Sequence, residues 1–476
     1  MSNEALTRLT ATEAAGLIRR RQLSPVDYVD AVLSRIAALQ PTLNCFITVV
    51  ADQARADAIA AEAAVMAGGP LGPLHGVPVS IKDLIPTQGI RTTFGSVAFA
   101  DHVPEQDDIL VTRLRAAGAV VIGKTTTPEF GIKGQCDAPI FGTTRNPWDL
   151  GRSPGGSSGG AAAAVAAGLG PIALGSDGAG SIRIPAACCG LVGFKGTTGA
   201  LPYAEARDAF GNVVAAGPLT RSIADAVLMQ SAMAGADARD PWTANTAPLG
   251  RLATGRDLSG LKIGYLRLAA NRALAADVSA NTLASIEVLR SLGAEVEEVS
   301  QQVDWISEDQ RVLYLSSIAH NLGSVVDRFG DRTDRVLRAY VATGRQYEIG
   351  AYIRAISART RLFRAVQRLF ESYDFLVSPT LSCTALPAGF DGAADSVVVD
   401  GQAMGPVQPE WTGYVYPFNL TGHPALSVPS GFASDGLPTG LQIVGPRHGD
   451  AEVLRLGALI EQARPWADRW PCSRQP

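Results

Sequence analysis

The sequence predicts an α/β protein folded as one unit around a largely buried sheet, and three observations carry that prediction. Strand, helix and strand patterns follow one another along the chain. The composition, 46% hydrophobic and 18% charged over 476 residues, is enough to bury a large core. No internal repeat or linker composition interrupts the chain. At roughly 150 residues per domain the length leaves room for about three domains, so one domain over 1–476 is large.

The elements read in order. Thr10 to Glu13 has capping-box spacing, and Leu17 and Ile18 begin an apolar face behind it. Ser24-Pro25 opens a second helix, with serine as cap, proline at the first turn, and Val29, Val32, Leu33, Ile36 and Leu39 on one side. Val77 to Ile81 is a short apolar strand. Asp108 to Ala117 reads as a helix stopped at Gly118, followed by a buried strand from Ala119 to Ile122. Leu261 to Leu266, Val278 to Leu292 and Ala294 to Val299 repeat the strand-helix-strand pattern. A more charged, helical stretch from about 304 to 347 reads as a peripheral cap. Ala425 to Val428 and Gly440 to Val444 flank a Ser434-Asp435-Gly436 turn, a hairpin signal.

Composition excludes several function classes. The 41 basic residues against 45 acidic ones give a net charge of −4, which announces neither a nucleic acid nor an anionic membrane as partner. The cysteines (Cys45, Cys136, Cys188, Cys189, Cys383 and Cys472) have no metal-ligand spacing, and in a chain this long they read as reduced thiols of an intracellular protein. Cys188 and Cys189 read as small buried hydrophobes in a helix. Met1 to Pro25 lacks the apolar core of a signal peptide. The most hydrophobic run, Ala161 to Leu174, is too short and too broken to span a bilayer. A soluble, cytoplasmic protein is expected. The five histidines show no metal spacing, so neither metal nor cofactor is expected.

Glycine is concentrated: fourteen of the fifty lie between Gly151 and Gly199. Three motifs compete to explain this. Gly118 to Thr125 matches the phosphate-binding pattern GxxxxGK[ST], but its interior, Ala-Val-Val-Ile, favours a strand over an open loop. Gly155-Gly156-Ser157-Ser158-Gly159 matches the G-x-S-x-G elbow, but loop precedes it where a strand is needed, and His320, His423 and His448 stand in no telling context. The third reading takes the stretch whole. Ser157 and Ser158 precede the helix-forming run Ala161 to Ala167, and Gly175 to Pro185 presents small residues whose N–H groups can converge on an oxyanion, with Ser181 closing the turn. Gly190, Gly193, Gly196 and Gly199 read as packing and turns.

Together, Ser153 to Gly160, Gly175 to Pro185 and the upstream Gly76-Val77-Pro78-Val79-Ser80-Ile81-Lys82-Asp83 closely resemble the amidase signature family. The resemblance runs from about His75 to Gly199, with weaker features to Pro446. It implies a single domain with a mixed, twisted central sheet covered by helices. It also implies a catalytic Lys82–Ser157–Ser181 set, with Ser181 as nucleophile, Ser157 as a bridging serine after a cis peptide, and Lys82 as base. Gly178, Ala179, Gly180 and Ser181 fall on the oxyanion-hole positions, and Gly131 and Ile132 on the acyl pocket. Ser158, Asp177 and Arg183 fall on supporting positions. The family usually has Thr or Ile and then Gly where this chain has Gly178 and Ala179; with a negative φ, Ala179 still offers its N–H.

The implied chemistry is coherent. A serine hydroxyl needs an adjacent base. A lysine can be that base once burial lowers its pKa, and Val79 and Ile81 flank Lys82 on a strand that reads as buried. Alternation sends Asp83 to the opposite face. Two functions follow. One is a hydrolase of small apolar or aryl amides, with carbamates and esters as further candidates, acting through an acyl-enzyme. The other is the glutaminase component of a tRNA-dependent amidotransferase, which Asn146 to Leu150 also resembles. Those glutaminases place an acidic residue seven positions before an Asn-Leu-x-Gly motif. Here the motif is Asn419-Leu420-Thr421-Gly422, but the acidic position holds Thr412. Trp411, Tyr414, Tyr416 and Phe418 make that neighbourhood aromatic and suited to an apolar substrate. The expected partners are a small amide and a second copy in a homodimer, with no nucleic acid and no membrane.

Overall fold

The Val/Ile-rich segments and the glycine-rich stretch meet in one sheet. The structure is a computed structural model that describes residues 1–243, 248–250, 252, 253, 255 and 257–471. Its strands are β1 (Phe46–Val49), β2 (Pro78–Lys82), β3 (Val120–Thr125), β4 (Ile172–Asp177), β5 (Val192–Lys195), β6 (Ala215–Thr220), β7 (Lys262–Tyr265), β8 (Glu295–Glu298), β9 (Phe375–Pro379), β10 (Ala425–Phe432) and β11 (Pro438–Val444). They form one eleven-stranded sheet in the order β1-β3-β2-β4-β6-β5-β10-β11-β9-β7-β8. β2 runs parallel to β3 and β4, and β7 runs parallel to β8 and β9. The remaining pairs are antiparallel, so the sheet is mixed, as the family resemblance implies.

The central strands β2, β3, β4, β5 and β6 are buried at every position, because helices cover both faces. The N-terminal helices lie where capping and periodicity put them. Ala11–Arg19 has its Thr10–Glu13 capping box, and Ser24 caps Pro25–Leu43. Gly118 ends its helix at φ +86°, and the residues after it are β3 rather than a loop. This removes the phosphate-binding reading, and Lys124 is wholly buried. The predicted hairpin is β10–β11.

The helix Gly159–Ala166 is buried along its whole length. Its small side chains let the backbone come close: a Cβ on Gly160 would sit 2.3 Å from Thr126 Oγ1. The charged stretch near 304–347 forms the helices Ser307–Phe329 and Arg335–Gly344, and a third helix, Ile349–Leu369, extends this layer beyond the predicted limit. Cys45, Cys136, Cys188 and Cys189 are buried free thiols and Cys383 is half-buried, whereas Cys472 lies outside the described residues. No described helix is long and apolar enough to cross a membrane.

Candidate active site

β2 sits between β3 and β4, and its last residue is Lys82. The β2–β4 register pairs Ile81 with Leu174, which brings Ser176 beside the lysine. Lys82 has no exposed surface. Its Nζ lies 2.7 Å from Ser157 Oγ, 3.1 Å from Ser176 Oγ and 3.3 Å from the Ser176 carbonyl oxygen. Only the carbonyl requires an N–H, since either hydroxyl can donate or accept. A neutral amine therefore satisfies this site while accepting from Ser157. Burial pushes the Lys82 pKa down to about 7, against the smaller upward pull of Cys136 and Asp177. Asp83 points to the other face, accepting from the Thr93 N–H at 3.0 Å and from the Thr93 hydroxyl.

Ser157 follows a cis Gly156–Ser157 bond in the loop before the Gly159–Ala166 helix. Asn146 anchors that loop by donating to the carbonyls of Ser153 (3.2 Å) and Cys188 (2.9 Å). Ser158 ties it to the next one: its N–H donates to the Ser181 carbonyl at 3.1 Å, and its hydroxyl to the Ser176 carbonyl at 3.2 Å. Gly131 closes on Ser157 from the other side. A Cβ there would lie 3.2 Å from Ser157 Oγ and 2.6 Å from Leu84 Cδ1, and its φ is +70°.

Ser181 stands between β4 and the helix Arg183–Cys189, partly exposed. The loop folds around the Asp177 carboxylate, which is fully buried. It accepts from the N–H groups of Gly180 (2.6 Å) and Ile182 (3.2 Å), from Asn419 Nδ2 (2.9 Å), and from Arg183 Nε and Nη2 (3.0 Å each). Burial alone would raise the Asp177 pKa, but the Arg183 guanidinium outweighs it and holds the carboxyl well below the usual range. Arg183 reaches on to Asn419 Oδ1 (2.6 Å), Gln442 Oε1 (2.7 Å) and the Val415 carbonyl (2.9 Å), which fastens the loop to β11 and to the segment before β10.

Of the four candidate oxyanion amides, that of Gly180 is spent on Asp177, and of the other three residues Ala179 and Ser181 line the cleft. Ala179 has no positive φ, so its side chain is no obstacle, whereas Gly180 (φ +106°) needs to be glycine because a Cβ would lie 2.3 Å from Val415 Cγ2.

Ser181 opens on a cleft whose empty space, together with the open solvent at its mouth, is about 410 Å³. Gly131, Ile132, Ala179 and Ile184 line it from the core, and Tyr314 and Tyr340 from the helical layer. Lys133 also lines it, with its charge balanced by Asp137 at 2.7 Å and Asp334 at 2.6 Å. The aromatic segment expected to shape the substrate site does not do so. Trp411, Tyr414, Tyr416 and Phe418 are each at most 1% exposed and pack into the core, and of that segment Thr412 lines the cleft. The aromatic wall comes instead from the stretch read as a peripheral cap, whose amphipathic helices turn Tyr314 and Tyr340 inward.

Two functional neighbours have no signal in the sequence: Ser176 as a partner of Lys82, and Gln442 as a brace. Asn419 stands out there only as part of a motif. The histidine contexts remain uninformative: buried His423 bonds Thr421 and Gln367 and stacks on Phe370. Among the described residues no group of three or more His, Cys, Asp or Glu could hold a metal ion.

Comparison with known proteins gives a consistent picture. The family model described as Amidase matches residues 27–454. An acylamidase of Rhodococcus erythropolis is 37% identical over 99% of this chain and 98% of its own. A glutamyl-tRNA(Gln) amidotransferase component of Roseiflexus sp. is 36% identical over 98% of each. The crystal structure of a bacterial aryl acylamidase, described as an amidase signature enzyme, superposes with a TM-score of 0.89 at 30% identity, covering 96% of this chain and 97% of that one.

Proposed function

The chain belongs to the amidase signature family and is an amide-hydrolysing enzyme; from that premise we propose that it acts alone on small apolar or aryl amides, through an acyl-enzyme on Ser181. The observation that carries this reading is the cleft: Ser181 faces Ile132, Ile184, Tyr314 and Tyr340, and no carboxylate lines it among the described residues. An apolar acyl or aryl group loses little on entering such a cleft. The ammonium of a glutamine substrate would lose its hydration with no counter-charge to replace it. Carbamates and esters share the carbonyl geometry and are secondary substrates.

In the proposed mechanism, neutral Lys82 accepts the Ser157 proton as Ser157 takes that of Ser181, and Ser181 Oγ attacks the carbonyl carbon. The amides of Gly178, Ala179 and Ser181 receive the oxyanion. The same chain returns the proton to the departing amine, and water then attacks the ester so formed. Lys82, Ser157 and Ser181 are the catalytic residues, Gly131 and Ile132 contact the acyl group, and Ser158, Asp177 and Arg183 hold the two loops. A homodimer, reaction in the cytoplasm and independence from nucleic acid and membrane belong to the same proposal.

Assaying the purified chain alone on acyl anilides, aryl carbamates, nitrophenyl esters, simple primary amides and glutamine tests the reading. Turnover of anilides with no added protein is expected. Turnover of glutamine only, or none without a second protein component, would sink it.

A further inference from the structure

One residue of the cleft wall, Thr412, has a hydroxyl with nothing to bond. Thr412 is 2% exposed, and its Oγ1 is buried without a hydrogen-bond partner. It lines the same cleft as Ser181, Ala179, Ile184 and Ile132. Its main chain is pinned: its N–H donates to the Val407 carbonyl at 3.2 Å, and its own carbonyl accepts from Val415 at 3.1 Å. On one side Trp411 is fully buried, with its indole donating to the Cys383 carbonyl at 3.1 Å. On the other, Gly413 leaves no room for a Cβ, which would meet the Pro409 carbonyl oxygen at 2.6 Å. The main chain at Thr412 is therefore held in place. Two other polar groups around the cleft are already committed: Lys133 to Asp137 and Asp334, and the Tyr314 hydroxyl to the Ile132 carbonyl at 2.8 Å.

A buried hydroxyl without a partner is costly, and a ligand that supplies one gains the bond. We propose that Thr412 is a specificity residue whose hydroxyl donates to a neutral oxygen on the acyl group of the substrate, an ether, hydroxyl or carbonyl oxygen close to the scissile carbonyl. This rests on the acylamidase reading and narrows it. The preferred acyl group is small and uncharged but not purely hydrocarbon. A threonine hydroxyl cannot balance an ammonium, and no carboxylate lines the cleft among the described residues to do so.

Methoxyacetyl and butyryl groups have nearly the same size and differ by an oxygen in place of a methylene. The ratio of kcat/KM for methoxyacetanilide over butyranilide is measured in the wild type, Thr412→Val and Thr412→Ser, so that intrinsic reactivity cancels between variants. Thr412→Val is expected to lower the ratio about five- to tenfold, the scale of one neutral hydrogen bond. Thr412→Ser keeps the hydroxyl and retains the ratio. A ratio unchanged within twofold in Thr412→Val, or an equal loss on both substrates, overturns the inference. Should Thr412→Val fail to fold, Thr412→Ala is read the same way. The two acyl groups are also measured as nitrophenyl esters. If no anilide is hydrolysed the acylamidase reading fails, while the ester ratio still decides the role of Thr412.

Discussion

Lys82 gives the sharpest prediction. Its amine is fully buried among neutral oxygens, and burial brings its pKa from 10.5 to about 7. That fall corresponds to roughly 5 kcal/mol of preference for the neutral form over an ordinary lysine. With a pKa of about 7, the neutral base is roughly a tenth of the population at pH 6 and nine-tenths at pH 8. Acylation of Ser181 should therefore rise about tenfold over that range and then level off. A solvated lysine would still be climbing past pH 10. The inflection alone is not diagnostic, because burial brings Lys124 and Lys195 to about 7 as well. The perturbation that decides is Lys82→Met, which keeps the stem and removes the base. The assay is the labelling rate of Ser181 by a serine-directed phosphonate between pH 5.5 and 9. Lys82→Met should lose about 10²–10⁴-fold in rate along with the inflection, and Lys195→Met should retain both. The linkage sign follows. The unfolded chain holds the Lys82 proton up to about pH 10.5 and the folded chain releases it near 7, so stability rises with pH between those values, and Lys82→Met flattens that slope. A Lys82→Met protein that labels within about threefold of wild type, or keeps the inflection, refutes the assignment of the base.

Two other perturbations test the scaffold. Asp177→Asn leaves the Arg183 guanidinium buried without its counter-charge, and should destabilise by about 3–5 kcal/mol in chemical denaturation, with Ser181 labelling slowed. Because the Asp177 carboxyl is held below its unfolded pKa, its stabilisation is present above about pH 4 and is lost as pH falls further, so the variant should show a shallower acid transition. Gly131→Ala puts a methyl 3.2 Å from Ser157 Oγ at a φ of +70°. It should slow labelling by about tenfold or more while costing only about 1–2 kcal/mol of stability; an unchanged rate would mean that this approach to Ser157 is unimportant.

The legible parts of this molecule are those whose chemistry lies in contiguous residues. Lys82 ends a five-residue apolar strand, and the Ser157 and Ser181 loops each carry their glycines within a few positions. Capping at Thr10 and Ser24 and the hairpin turn are legible for the same reason. What is not legible depends on which way a side chain faces. Trp411, Tyr414, Tyr416 and Phe418 are aromatic because they fill the core, and composition cannot separate a core aromatic from a cleft aromatic. Tyr314 and Tyr340 lie in stretches whose charged outer faces mask their inward residues. Ser176 sits in a glycine-rich run and shows its role only through the β2–β4 register. Gln442 and Asn419 meet Arg183 across more than 230 residues of chain, a separation that no local pattern reports.

The central claim is that the acyl group is carried by Ser181. Rapid quenching of a slowly deacylating activated ester, followed by mass spectrometry of the digested chain, tests it directly. The expected result is one acyl increment, on the peptide containing Ser181, that disappears in Ser181→Ala and persists at a lower level in Ser157→Ala. An increment on Ser157 instead, or undiminished turnover by Ser181→Ala, would contradict it.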